Sequence, residues 1–122
     1  MISSKILYSP GTKSSSFSSK ASSAWFNTQN LGKLSLADLV PAFADQAQGL
    51  IDGGADVLIL ETCQDILEMK AQIIASREAM VRTGKKVPIQ CSITLDPTGR
   101  MLLGTDYRGA LATLEARLAD AR

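Results

Sequence analysis

From Ser35 onward, apolar residues recur at spacings that alternate between two kinds of element. Leu36, Leu39, Val40, Phe43, Ala47, Leu50 and Ile51 fall at helical intervals. Ser35 is a natural N-cap, and Asp38 three residues on completes a capping-box-like pair. Pro41 lies past the first turn, where it removes a backbone donor. The helix is therefore expected to kink there, or to begin there with Pro41 at its first position. Gly53-Gly54 should end it. Val57-Leu58-Ile59-Leu60 follows as a continuous apolar run. A strand apolar on both faces belongs in a parallel sheet covered by helices. A second helix is predicted from about Gln64 to Thr83, with Ile66, Met69, Ile73, Ile74, Arg77, Met80 and Val81 on its buried side. Lys70, Glu78 and Arg82 lie nearer water, and Glu78 and Arg82 are spaced to pair weakly. Gly84 closes the helix, and Lys85-Lys86 suit its negative end. Val87 to Leu95 reads as a second strand in which Ile89, Cys91, Ile93 and Leu95 alternate with Gln90, Ser92 and Thr94. Asp96-Pro97-Thr98-Gly99 has turn chemistry. Thr105 or Asp106 can cap a last helix whose apolar side is Ala110, Leu111, Leu114 and Leu118.

Strand, helix, strand, helix defines an α/β protein, and such a crossover is parallel and right-handed almost by rule. Two strands cannot close a sheet, and a full barrel of eight such units needs about 250 residues. The expected object is thus a partner-dependent α/β piece or part of a larger protein. Residues 1–33 differ. Ten are serine, four are lysine and none is acidic; the first acidic residue is Asp38. This segment reads as a Ser-rich leader, either disordered or a mis-specified start. An organelle transit peptide is a weaker match, because lysine replaces arginine and no amphipathic helix is evident. Within it, Ile6, Leu7 and Tyr8 before Pro10-Gly11 can form a short strand and turn, and Trp25 and Phe26 can pack on the domain.

The 122 residues, 45% hydrophobic and 20% charged, suit one small domain. A net charge of +1 gives no reason to expect nucleic acid or an anionic membrane as partner. No apolar stretch approaches the roughly 18 residues of a membrane span. Cys63 and Cys91 are the two cysteines, and histidine is absent. That excludes Ser-His-Asp and Cys-His catalysis within the chain, and leaves neither a disulfide framework nor a CxxC zinc pattern. A reduced, cytoplasmic setting is the default.

The candidate chemistry lies where the strands end. In α/β folds ligands bind at the carboxyl ends of strands. Glu61 is the first residue past the buried run, so it is either a ligand contact or merely the cap of the next helix. With Ile89, Cys91 and Ile93 packed on helices, Gln90, Ser92 and Thr94 would face a ligand, or simply bond one another. Cys91 on the apolar face reads as a buried thiol. Arg100, in the loop above the strand ends, can hold a carboxylate or serve as surface charge.

Three stretches together resemble one family. Phe43 to Thr62, Gln64 to Ala71, and Val87 to Leu95 with its Gly99-Arg100-Met101-Leu102-Leu103-Gly104-Thr105-Asp106 loop look like the homocysteine-binding domain of cobalamin-dependent methionine synthases. The resemblance covers roughly Leu34 to Glu115 and favours the cobalamin-dependent branch over the betaine-dependent one. It implies an α/β fold that is a partial (β/α)8 TIM barrel of about two and a half β/α units, with residues 34–122 as the barrel piece. It implies a methyltransferase of methionine biosynthesis, moving a methyl group to the homocysteine thiolate. Zinc and cobalamin are the cofactors of such parents; none is expected for this chain alone. The implied partners are homocysteine, the remainder of the barrel, and the folate and cobalamin modules. Glu61 matches the residue that contacts the homocysteine amino group. A carboxylate suits an ammonium. Thr62, Ser92 and Thr94 match strand-end positions near the amino acid.

The departures are as informative. The three zinc cysteines of the family follow an asparagine after a later strand and paired glycines near the barrel's end, beyond this chain. Neither Cys63 nor Cys91 matches them, so no metal site and no catalytic residue is carried over. Pro41 interrupts a helix that is uninterrupted in the family, and residues 1–33 do not resemble the barrel's start. The expectation is therefore an inactive fragment. A noncatalytic barrel-completing module and a segment of another α/β barrel, such as a pterin-binding one, are the alternatives.

Overall fold

A computed structural model of the chain describes residues 5–10 and 35–119. Strand β1 is Lys5–Pro10, helix α1 Leu36–Asp52, strand β2 Ala55–Cys63, helix α2 Ile66–Thr83, strand β3 Ile89–Ile93 and helix α3 Tyr107–Ala119. The strands form one sheet in the order β1-β2-β3.

Helix α1 starts where local chemistry directs it. The Asp38 carboxylate accepts from the Ser35 N–H at 3.1 Å and from its hydroxyl at 2.6 Å. The expectation that Pro41 delays the helix is not met: α1 begins at Leu36 and runs through Pro41, whose ring is exposed. An outward proline loses one backbone bond without colliding with a packed neighbour, and the turns on either side hold the helix. At its other end Gly53 stays right-handed, while Gly54 takes φ +92° and turns the chain into β2. A side chain at Gly54 would be strained.

β2 is the axis of the fold. Leu58 and Leu60 are fully buried in one cluster with Leu39, Phe43, Ala47 and Ile51 of α1 and Met69 and Ile73 of α2. The β2-α2-β3 unit is parallel, with Leu58 beside Ile89, Ile59 beside Gln90 and Leu60 beside Cys91. Ile89, Cys91 and Ile93 pack half-buried against the same core, leaving the alternate residues of β3 on the opposite face.

Two expectations change. The short strand anticipated at Ile6-Leu7-Tyr8 exists, and it pairs antiparallel to β2, with Leu7 beside Ile59 and Lys5 beside Glu61. A sheet of three strands with an antiparallel edge differs from the all-parallel order of a TIM barrel. The parallel β2-α2-β3 unit with its helices is compatible with part of one. The expectations for residues 11–34, including the packing of Trp25 and Phe26, lie outside the described residues.

The second change concerns α2. Ile74 and Val81, expected inside, are exposed, Val81 at 83%. Ala71, Ala75 and Ala79 are buried instead, together with Glu68, Gln72 and Ser76. Helix α1 packs along α2, and the small and polar residues buried on α2 form a second stripe that hydrophobicity alone does not mark. Gln72 donates to Glu68 Oε1 at 3.3 Å within it. Arg82 ties the two helices at the surface, bonding Asp45 of α1 at 2.9 Å and Glu78 of its own helix at 2.5 Å. No helix among the described residues is long and apolar enough to cross a membrane.

Candidate substrate-binding site

The apolar run of β2 does not end in a simple exit at Glu61. The strand continues to Cys63, and the pairing with β3 slips between Leu60 and Cys63, whose partners are Cys91 and Ile93. Glu61 and Thr62 therefore stand opposite the single residue Ser92, which is a β-bulge. The extra residue shifts the alternation of the strand. Cys63 now falls on the helix side with Ile93 and is fully buried.

Thr62 takes φ +56° and is the one described residue other than glycine with positive φ. A β-branched residue there is a genuine outlier, held only because its surroundings overdetermine it. The surroundings are visible: the Thr94 N–H donates to the Cys63 carbonyl at 2.8 Å, locking the ends of β2 and β3 together. Beyond it, Asp65 is the N-cap of α2, its carboxylate accepting from the Leu67 N–H at 2.9 Å. Asp65, not Glu61, caps the helix, which removes the capping role considered for Glu61.

Glu61, Thr62, Ser92 and Thr94 are all half-buried and sit at the carboxyl ends of two adjacent strands. Gln90 is exposed, one register step earlier beside Ile59. Among the described residues no side chain bonds the Glu61 carboxylate.

The loop after β3 is held by its own polar residues and by one bond to the loop after β2. The Asp96 carboxylate accepts from the Thr98 N–H at 2.8 Å, the Thr98 hydroxyl at 2.6 Å and the Arg100 N–H at 3.1 Å. These bonds hold it below the usual carboxylate range, the Thr98 hydroxyl contributing most. Met101 is buried as the plug of the loop, and the Leu102 N–H donates to the Gln64 carbonyl at 3.0 Å, clipping this loop to the one after β2. Arg100 donates to the Gly104 carbonyl at 2.8 Å, so its guanidinium serves the loop's own fold. Asp106 caps α3 through the Gly109 N–H at 2.8 Å. The bulge and the loop clip depend on pairing between distant residues, and the only sequence signal for them is the polar run Glu61-Thr62 breaking an apolar strand.

The cysteines do not form a metal centre. Cys63 is buried on the helix side, its thiol 3.9 Å from the Glu61 carbonyl. Cys91 lies beside Leu60, and burial pushes its thiol up from the ordinary value. Among the described residues no three Cys, Asp or Glu side chains gather as metal ligands. The residues present do not fit a zinc thiolate site.

Comparison with known proteins places the sequence in a family. The sequence profile of the homocysteine S-methyltransferase family matches residues 6–121. A methionine synthase of Mycobacterium tuberculosis (strain ATCC 25618 / H37Rv) is 42% identical over 85 residues, 70% of this chain and 7% of that protein. A methionine synthase of Mycobacterium leprae (strain TN) is 45% identical over 74 residues, 61% of this chain and 6% of that protein. The chain thus spans less than a tenth of the length of these relatives. On the profile match, which takes in β1 as well as the β2-α2-β3 unit, the chain belongs to the homocysteine S-methyltransferase family.

Proposed function

We propose that the chain is the amino-acid-binding corner of a methionine synthase homocysteine domain. In the whole protein that domain is a (β/α)8 barrel in which homocysteine sulfur, as thiolate, takes a methyl group to give methionine. Residues 34–122 are the barrel piece. The observation that carries the reading is the bulge at Glu61-Thr62. It holds a carboxylate half-buried, without a partner among the described residues, at the ligand end of a parallel strand.

Glu61 accepts the homocysteine ammonium in this reading. Thr62, Ser92 and Thr94 supply hydroxyls around the same amino acid. The loop pinned by Asp96 and Met101 walls the corner and keeps it in shape. The chain binds and orients; it does not activate the thiol, because among the described residues no set of side chains gathers to hold zinc and the sequence has no histidine to take the proton. Methyl transfer therefore belongs to the larger protein, with its zinc and cobalamin, and not to this chain by itself.

The test is a titration of the isotopically labelled 122-residue chain with L-homocysteine, followed by amide NMR. Shifts should concentrate at Glu61, Thr62, Ser92 and Thr94. Shifts confined to other regions, or none at saturating ligand, would reject the assignment.

A further inference from the structure

The middle of the buried face of α2 is polar. At about 3.6 residues per turn, Glu68, Gln72 and Ser76 fall on one line along it. Ala71 and Ala75 flank that line on one side, Met69 and Ile73 on the other, and all of these are buried. Gln72 and Ser76 are fully buried. The residues that bury them belong to this chain, so the rest of a longer protein would not uncover them.

A buried polar atom without a partner is costly, and each one calls for an explanation. Gln72 donates its side-chain amide to Glu68 Oε1 at 3.3 Å. That bond turns the nitrogen end of the amide to Glu68 and leaves Oε1 to accept from elsewhere. Helical side chains lean toward the helix N-terminus, so the Ser76 hydroxyl lies over the turn that carries Gln72. Among the described residues neither Gln72 Oε1 nor Ser76 Oγ has a hydrogen-bond partner, so the two are not bonded to each other either. Thr83, two turns further on, shows the usual way out: its hydroxyl donates back to the Ala79 carbonyl at 2.9 Å. Ser76 makes no such bond.

We propose that one water molecule is built into the core here, bonded to the Ser76 hydroxyl and donating to Gln72 Oε1. The site asks for a small neutral molecule that can both give and take a proton in hydrogen bonds. Buried sites with two or more polar groups are the ones that hold water in protein interiors. The water completes a line from Ser76 through Gln72 to Glu68, between the alanine side of α2 and the side of Met69 and Ile73. The inference does not use the homocysteine reading, since neither Gln72 nor Ser76 belongs to the candidate site.

The experiment is magnetic relaxation dispersion on the 122-residue chain in oxygen-isotope-labelled water, which counts long-lived internal waters. The wild type should exceed Ser76→Ala by about one such water per chain. Gln72→Leu removes the other partner at similar volume and should show the same loss, which covers the case that Ser76→Ala does not fold. In the wild type itself, the Gln72 side-chain amide should show a nuclear Overhauser contact with water. A wild type with no long-lived water, or without that contact, would overturn the proposal. So would a folded variant that keeps the full wild-type dispersion, the result expected if the Ser76 hydroxyl turns back to the Gln72 carbonyl instead.

Discussion

Thr62 is where the local backbone is most unusual, the one described residue other than glycine with positive φ. Holding a threonine at φ +56° costs roughly 1–3 kcal/mol, and glycine would avoid most of that at a chain-entropy cost of roughly 0.5–1 kcal/mol. Thr62→Gly is therefore expected to raise stability by about 1 kcal/mol in thermal unfolding. It should also weaken homocysteine binding, because the bulge that aims Glu61 loses its stiffness. A variant less stable than the wild type would show that the backbone at Thr62 is not strained. Asp96 makes the pH-dependent counterpart. Its carboxyl lies below the ordinary value of 3.8 in the folded chain, so the bonds it accepts stabilise the loop fully above that value and are lost as pH falls through the lowered one. The Thr98 amide resonance should hold its position down to about pH 4 and move only below it. Movement in the neutral range would contradict this.

At the scale of elements, what the sequence announces is what neighbours along the chain decide. Ser35 and Asp38 are three residues apart and need no tertiary partner to make a cap, so the start of α1 was legible. The run Val57-Leu58-Ile59-Leu60 marks β2 because burial on both faces leaves no polar position. What was not legible depends on pairing. The bulge exists only because Leu60 and Cys63 meet Cys91 and Ile93. Burial of Glu68, Gln72 and Ser76 depends on tertiary packing, and periodicity read from hydrophobic residues alone widens the buried side to Ile74 and Val81, which are exposed. Pro41 disturbs α1 less than its position in the sequence suggests, since a proline facing solvent leaves the helix intact. It still forfeits a bond. Pro41→Ala should stabilise the chain by about 2 kcal/mol, partly offset by the freer unfolded chain, as read from urea midpoints. An unchanged or lower midpoint would mean that the ring makes a contact worth as much as the bond.

For the whole molecule, the parallel β2-α2-β3 unit, the helices that cover it and the family match from residue 6 to residue 121 point the same way. The position of Glu61, Thr62, Ser92 and Thr94 near the ends of adjacent strands was legible from the polar residues that follow and alternate with the apolar ones. The antiparallel β1 was anticipated as a strand, but its partner and direction were not, because a short apolar run carries no information about which edge it will cover. The proposed contact between Glu61 and the homocysteine ammonium needs no metal. It is tested most directly by calorimetric titration of L-homocysteine into the wild type and Glu61→Gln, each with and without a zinc chelator. Binding should be weak, saturable and unchanged by the chelator. Glu61→Gln should reduce that binding roughly 10- to 100-fold, the usual worth of a charged hydrogen bond. Binding that requires zinc, or that survives Glu61→Gln undiminished, would contradict it.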